Sequence, residues 1–97
     1  MEVRVLKLVS GEEVIGKVEK NEDDFIVLGN ARSLMMQQTG DGQVGLGMVP
    51  FMPSADNPAT DSESDVKIYK QFIMAEPIAV PSPLEDAYLR STSKIAL

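Results

Sequence analysis

Residues 10–28, SGEEVIGKVEKNEDDFIVL, decide the fold. Val14, Gly16 and Val18 alternate with Ile15, Lys17 and Glu19, the period-two pattern of a strand with one buried face. Ser10-Gly11 before this strand and Asn21-Glu22-Asp23-Asp24 after it are turn chemistry. Glycine reaches positive φ without strain, and Asn and Asp side chains hydrogen-bond their own backbone. Gly16 stands inside the strand, where a glycine marks a bulge or the sharp bend at a barrel corner. The stretch therefore predicts a strongly bent antiparallel sheet, closed or nearly closed on itself.

On the N-terminal side, Glu2 to Val9 reads as the first strand. Val3, Val5 and Val9 fall on one face, Leu6 and Leu8 on the other. Apolar residues on both faces imply that both are covered, one by the core and one by something further, such as a neighbouring subunit. On the C-terminal side, Phe25 to Leu28 opens a third strand, which Gly29-Asn30 bends a second time and Ala31 to Gln38 continues. Residues 39–43, TGDGQ, make a hairpin loop. Val44 to Met52 is glycine-rich and bounded by Pro50 and Pro53. Because proline cannot donate to a ladder, this piece is an edge strand or an arm. Ser54 to Asp65 reads as a polar, mobile loop. Val66 to Ala75 is the last strand, with Val66, Ile68, Phe72 and Met74 on one face and Tyr69 and Ile73 on the other.

Past Glu76-Pro77 the character changes, which divides the chain into a body, residues 1–79, and a tail, residues 80–97. Pro77, Pro81 and Pro83 stiffen the connector. Ser82-Pro83-Leu84-Glu85 has the form of a capping box with proline at the first helical position. A short helix from about Pro83 to about Arg90 follows, with Leu84 and Tyr88 on one stripe. So short a helix is marginal alone in water. It is ordered if that stripe docks, and otherwise the tail is disordered.

Composition bounds the chemistry. The 97 residues suffice for one domain with a modest core. Without Cys or His there is no disulfide, no thiolate nucleophile and no Ser-His-Asp or Cys-His arrangement. The start, MEVRVLKLV, lacks the apolar run of a signal peptide, and no segment reaches the length of a membrane span; a cytoplasmic location is expected. Fifteen acidic residues against nine basic ones leave a net charge of −6, which opposes indiscriminate binding to nucleic acid or anionic lipid.

Several patterns invite a functional reading and mostly fail it. Gly40-x-Gly42-x-x-Gly45 matches a dinucleotide fingerprint in form, but a proline-ended strand follows where the motif requires a helix. Asp61-x-Glu63-x-Asp65 has the spacing of the first calcium-loop ligands, yet Phe72 takes the place of the closing Glu. The Glu22-Asp23-Asp24 run reads as a solvated turn. Met35, Met36, Met48, Met52 and Met74 suit either a core or an interface, since methionine adapts to irregular gaps. Neither a cofactor, nor a metal, nor a catalytic residue is expected, and the chain reads as no enzyme.

In its order of elements the chain resembles the Sm-like (LSm/Hfq-like) family. Val14-x-Gly16-x-Val18, with Gly11 in the preceding turn, stands where the family has its apolar-x-Gly-x-apolar strand. Ile68-Tyr69-Lys70-Gln71-Phe72-Ile73-Met74 occupies the place of its apolar-Arg-Gly-x-x-apolar segment. The run GLGMVPFMP, a polar loop, a final strand and a Glu-Pro before a tail bring it near the small Sm-like proteins of cyanophage genomes. The resemblance covers residues 3 to about 77. It implies an all-β, strongly bent five-stranded antiparallel barrel whose protomers join edge to edge in a homo-oligomeric ring of about five to seven copies. A phage-encoded ring would work in the bacterial host cytoplasm.

The resemblance further implies a site for single-stranded, U-rich RNA at the turn after the second strand and at the segment before the last one. The corresponding residues here are Asn21, Phe25, Lys70 and Gln71. The match departs from the family where it matters: Lys70 stands for Arg and Gln71 for Gly, and Lys lacks the planar fork that stacks and grips bidentately. Three carboxylates per copy would also collar the rim of a ring against phosphates. Two readings stay open. One is a small RNA-binding ring with bases stacked on Phe25 and Lys70 facing the backbone. The other is a scaffold whose partner is a phage or host protein. Met48, Val49, Phe51, Met52, Phe72 and Met74 are the candidate oligomer-interface residues.

Overall fold

The computed structural model describes residues 2–38, 40–52, 56–57, 62–63 and 65–92, with 56–57 and 62–63 described by their backbone alone. Along the chain lie β1 (Val3–Leu8), β2 (Glu13–Asn21), β3 (Phe25–Gln38), β4 (Val44–Pro50), β5 (Asp56–Asn57), β6 (Ser62–Glu63), β7 (Val66–Tyr69), β8 (Ile73–Ala75) and α1 (Ser82–Thr92). All ladders are antiparallel, so the β-dominated fold expected from the sequence is the one observed. The main sheet runs β4-β3-β2-β1-β8, with β7 also on β3. As a ladder it is open, and β4 and β8 are its ends. Yet β7, on β3, and β8, on β1, are joined by three residues, a 3₁₀ turn over Lys70–Phe72. The sheet therefore curls until its two sides lie one turn of chain apart.

The curl is made where β2 meets β3. Ile15 pairs with Arg32 but Lys17 with Gly29, so β3 holds an extra residue opposite Gly16. Such a bulge bends the strand and increases its twist. Asn30 lies in that bulge with φ of +52°, a left-handed conformation that Asn adopts more readily than most residues. Gly16 itself is needed for room: a Cβ there would stand 2.9 Å from the Leu28 Cβ. Both bends anticipated from glycine, at 16 and at 29–30, thus belong to one distortion seen from its two strands.

Two apolar clusters result. Inside the curl, Leu6, Leu8, Val14, Ile26, Leu28, Ala31, Val66 and Ile68 pack together, with Val18, Phe51 and Ile73 at the margin. On the outer face, Val3, Val5 and Ile15 pack with Tyr88 of α1, flanked by Leu34, Met48, Val80 and Leu84. Adjacent strand residues point to opposite faces, and Val14 and Ile15 are both fully buried. The cover over the second face of β1 and β2 is the chain's own C-terminal helix, where the sequence also admitted a neighbouring subunit.

Tyr88 holds that helix down. Its side chain is 0% exposed, and burying a side chain of this kind contributes about 2–3 kcal/mol. Its hydroxyl donates to the carbonyls of Gly29, at 3.0 Å, and Asn30, at 2.9 Å, the two backbone acceptors at the bulge. The helix extends beyond the anticipated Pro83–Arg90 to Ser82–Thr92. At its C-terminal end the Ser91 and Thr92 hydroxyls donate back to the Tyr88 carbonyl, each at 2.9 Å. The connector is tied as well: the Arg4 guanidinium forms a two-pronged pair with the Glu76 carboxylate, whose hydrogen bond raises the Arg4 pKa above its ordinary value.

The last strand is corrected. Instead of one strand over Val66–Ala75, the 3₁₀ turn splits it, because the chain must leave β3 as neighbour and take up β1. The turn also shifts the phase. Val66 and Ile68 stay in the core, but Ile73 now faces inward while Phe72 and Met74 are exposed. The expected mobile loop over Ser54–Asp65 falls largely outside the described residues; within it, β5 and β6 pair with each other.

Candidate binding surfaces

The residues expected to hold RNA come from two separate turns that the fold sets side by side. Asn21 ends β2 and Phe25 begins β3, the Glu22 N–H donating to the Phe25 carbonyl across the turn at 2.9 Å. Lys70 opens the 3₁₀ turn, and its N–H donates to the Asp24 carbonyl, also at 2.9 Å. Lys70 is thereby fixed beside the acidic turn, with Gln71 next to it and exposed.

Phe25 has neighbours that the sequence reading did not name. It pairs directly with Tyr69 across β3 and β7. The Lys67 ammonium stands 4.5 Å from the Phe25 ring centroid and the Lys20 ammonium 5.9 Å. Cations within about 6 Å of an aromatic face are attracted by its quadrupole. Lys20 is shared with Glu22, at 3.7 Å. The result is a small basic and aromatic corner, with half-exposed Tyr69 at its edge, inside an acidic chain. No local pattern announces it: Lys20 and Lys67 meet only because a β3–β7 ladder joins residues about forty apart in sequence.

The six candidate interface residues divide. Val49, Met52, Phe72 and Met74 are exposed. Met48 and Phe51 instead serve the protomer's own interior, Met48 against the α1 cluster and Phe51 against the inner core. Met48 Sδ also accepts a long contact of 3.8 Å from the Ser91 hydroxyl. The exposed four lie along the two free ends of the sheet, β4 and the β8 side, where backbone groups have no ladder partner among the described residues.

Between β7 and the end of β1 lies a slot of about 320 Å³. Its walls include Val9, Phe51, Met52, Val66, Tyr69 and Phe72, and among the described residues Lys67 is its one charged lining residue. At the far end of the molecule β3 outruns β2, whose last partner on it is Leu34. Beyond that point Met35–Gln38 pair, among the described residues, with Val44–Gly47 alone, a two-stranded ribbon.

The remaining patterns find structural roles or lie out of reach. Gly42, with φ of +84°, turns the hairpin, and Gly45 lies within β4, so the glycine triplet builds a hairpin. Asp61 of the calcium-like triplet lies outside the described residues, and no cluster of three metal-ligating side chains occurs among the described ones. Among the described residues no helix is long and apolar enough to cross a membrane. Compared with known proteins, the chain matches no family model and no curated protein.

Proposed function

We propose that this chain is a non-enzymatic, ring-forming scaffold of the Sm-like type, its curled sheet acting as the barrel of each protomer. The observation that carries the reading is the pair of free sheet ends. β4 ends one side and β8 the other, and both display apolar side chains, Leu46 and Val49 on the first and Met74 on the second, with Phe72 on the 3₁₀ turn just before it. A long apolar edge left bare is a template for uncontrolled pairing. Two different edges that satisfy each other generate a head-to-tail assembly, and a closed ring leaves neither of them exposed. The order of a second strand with Gly16 at the bend, a bulged third strand and a 3₁₀ turn before the last strand supports the same reading. The absence of His and Cys supports a binding role over a catalytic one. Light scattering coupled to size exclusion is the test: a single species of about five to seven protomers is expected, and a stable monomer at micromolar concentration refutes the proposal.

A second reading, single-stranded RNA binding by that ring, is favoured by the corner around Phe25. An aromatic ring beside Lys67 and Lys20, with Lys70 tied by its backbone to the adjoining turn, has the parts of a stacking platform, worth about 1–3 kcal/mol per stacked base. Glu22, Asp23 and Asp24 on the adjoining turn work against phosphate. Filter binding of oligo(U) across a salt series decides: retention that weakens with salt and disappears in Lys70→Ala supports RNA, while no retention at low salt leaves a scaffold for protein partners.

A further inference from the structure

We infer that the β3–β4 ribbon of one copy seats its apolar face in the β7-side slot of the next, so that the ribbon is the element that fastens neighbouring protomers. The inference rests on the ring-forming reading and goes beyond it, because it joins Met36 and Val44 to Leu46 and places the decisive contact on the ribbon's face instead of along the strand edges.

The ribbon has one apolar face. Register pairs Leu34 with Met48, Met36 with Leu46 and Gln38 with Val44, and paired residues share a face. Leu34 and Met48 lie under α1. Where the helix stops covering them, the same face continues as Met36, Val44 and Leu46, which are 72%, 61% and 53% exposed. On the opposite face Met35 is the one large apolar side chain, 46% exposed, while the Gln37 amide sits over Gly47 and Gly45 adds no side chain, so that face presents one apolar group against three. A two-stranded ribbon is marginal in water unless something packs on it.

The slot is the matching concavity. A cavity of about 150 Å³ holds one benzene-sized group, so about 320 Å³ admits two apolar side chains. Its rim includes Val9, Met52, Tyr69 and Phe72, all substantially exposed, and it runs beside β7, whose one ladder partner among the described residues is β3. The charges agree. From Ser33 to Val49 the only charged residue is Asp41, and among the described residues the only charged one lining the slot is Lys67. The contact therefore brings together one negative and one positive charge in a chain whose copies, at −6 each, repel at a distance.

A ribbon seated in the slot has to come from a second copy. Phe51, at the slot, and Leu46, on the ribbon, belong to one extended stretch five residues apart, which at ~3.3 Å per residue is roughly 17 Å. A protomer cannot reach its own slot without breaking β4. Because ribbon and slot are different surfaces, the contact is head-to-tail and propagates until it closes.

The chain has no cysteine, which gives a clean test. The double variant Leu46→Cys with Val9→Cys, treated with a short bismaleimide, should give a denaturing-gel ladder that ends at the ring size. Each single variant should give no product beyond the dimer. Separately, Leu46→Glu should convert the assembly to monomer at unchanged circular dichroism. A wild-type ring by light scattering whose double variant forms no ladder, or a ladder ending at two, overturns the ribbon contact and leaves the ring standing. A wild-type monomer overturns both.

Discussion

The β3–β4 ladder has two halves that share a face and differ in what lies on it. In the first half, Leu34 and Met48 continue the surface of Val3, Val5 and Ile15, and α1 covers them with Leu84 and Tyr88. In the second, Met36, Val44 and Leu46 present the same kind of surface to solvent. Residue chemistry does not separate them, since both halves are aliphatic and methionine-rich. Reach separates them: α1 lies along the body, its Tyr88 bonded at the Gly29–Asn30 bulge and its Ser91 against Met48. An apolar strand face is thus completed in cis where the chain returns over it, and is left as an adhesive surface where it does not.

That contrast can be broken most forcefully at Tyr88. Tyr88→Ala removes a fully buried aromatic ring and should cost about 3–5 kcal/mol, read as a lower urea midpoint together with lost helical ellipticity. Tyr88→Phe keeps the ring but leaves the bulge carbonyls without their hydroxyl, a loss of about 1 kcal/mol. If Tyr88→Ala lost no helix, α1 would not depend on this anchor and the covered half would need another explanation. Gly16→Val probes the body from beneath. Its Cβ would crowd Leu28 at 2.9 Å, so about 1–3 kcal/mol of destabilisation is expected, again by urea unfolding. A neutral result would show that β2 and β3 separate freely there. The smallest effect belongs to the bare half. Met36→Ser should change protomer stability by no more than about 0.5 kcal/mol, measured at concentrations low enough to dissociate any assembly. A larger loss would mean that the ribbon is covered within its own chain.

Much of this architecture is legible in local pattern. The turn at Asn21–Asp24, the bends at Gly16 and Gly29-Asn30, the edge position of the proline-bounded β4 and the Leu84–Tyr88 stripe of the helix each follow from a few consecutive residues. The last strand resisted such a reading. Alternation over Val66–Ala75 suggests one continuous strand, but the choice between β3 and β1 as neighbour is made by long-range pairing, and the 3₁₀ turn it imposes exchanges the faces of Phe72, Ile73 and Met74. The basic corner at Phe25 was half visible for the same reason. Asn21, Phe25, Lys70 and Gln71 stand in short runs, whereas Lys20, Lys67 and Tyr69 join them only through a ladder.

By itself, then, the order of residues determined a bent antiparallel sheet followed by a short helical segment, because turns, bends and helix starts are short-range consequences of φ preference and side-chain hydrogen bonding. Tertiary structure alone decided which apolar faces are spent inside the protomer. Val3, Ile15 and Met48 look no different in sequence from Met36, Val44 and Leu46, and only the path of the returning chain tells a core from a contact surface. Burial is a property of what arrives opposite a side chain, and alternation along a strand records the side chain but not its visitor.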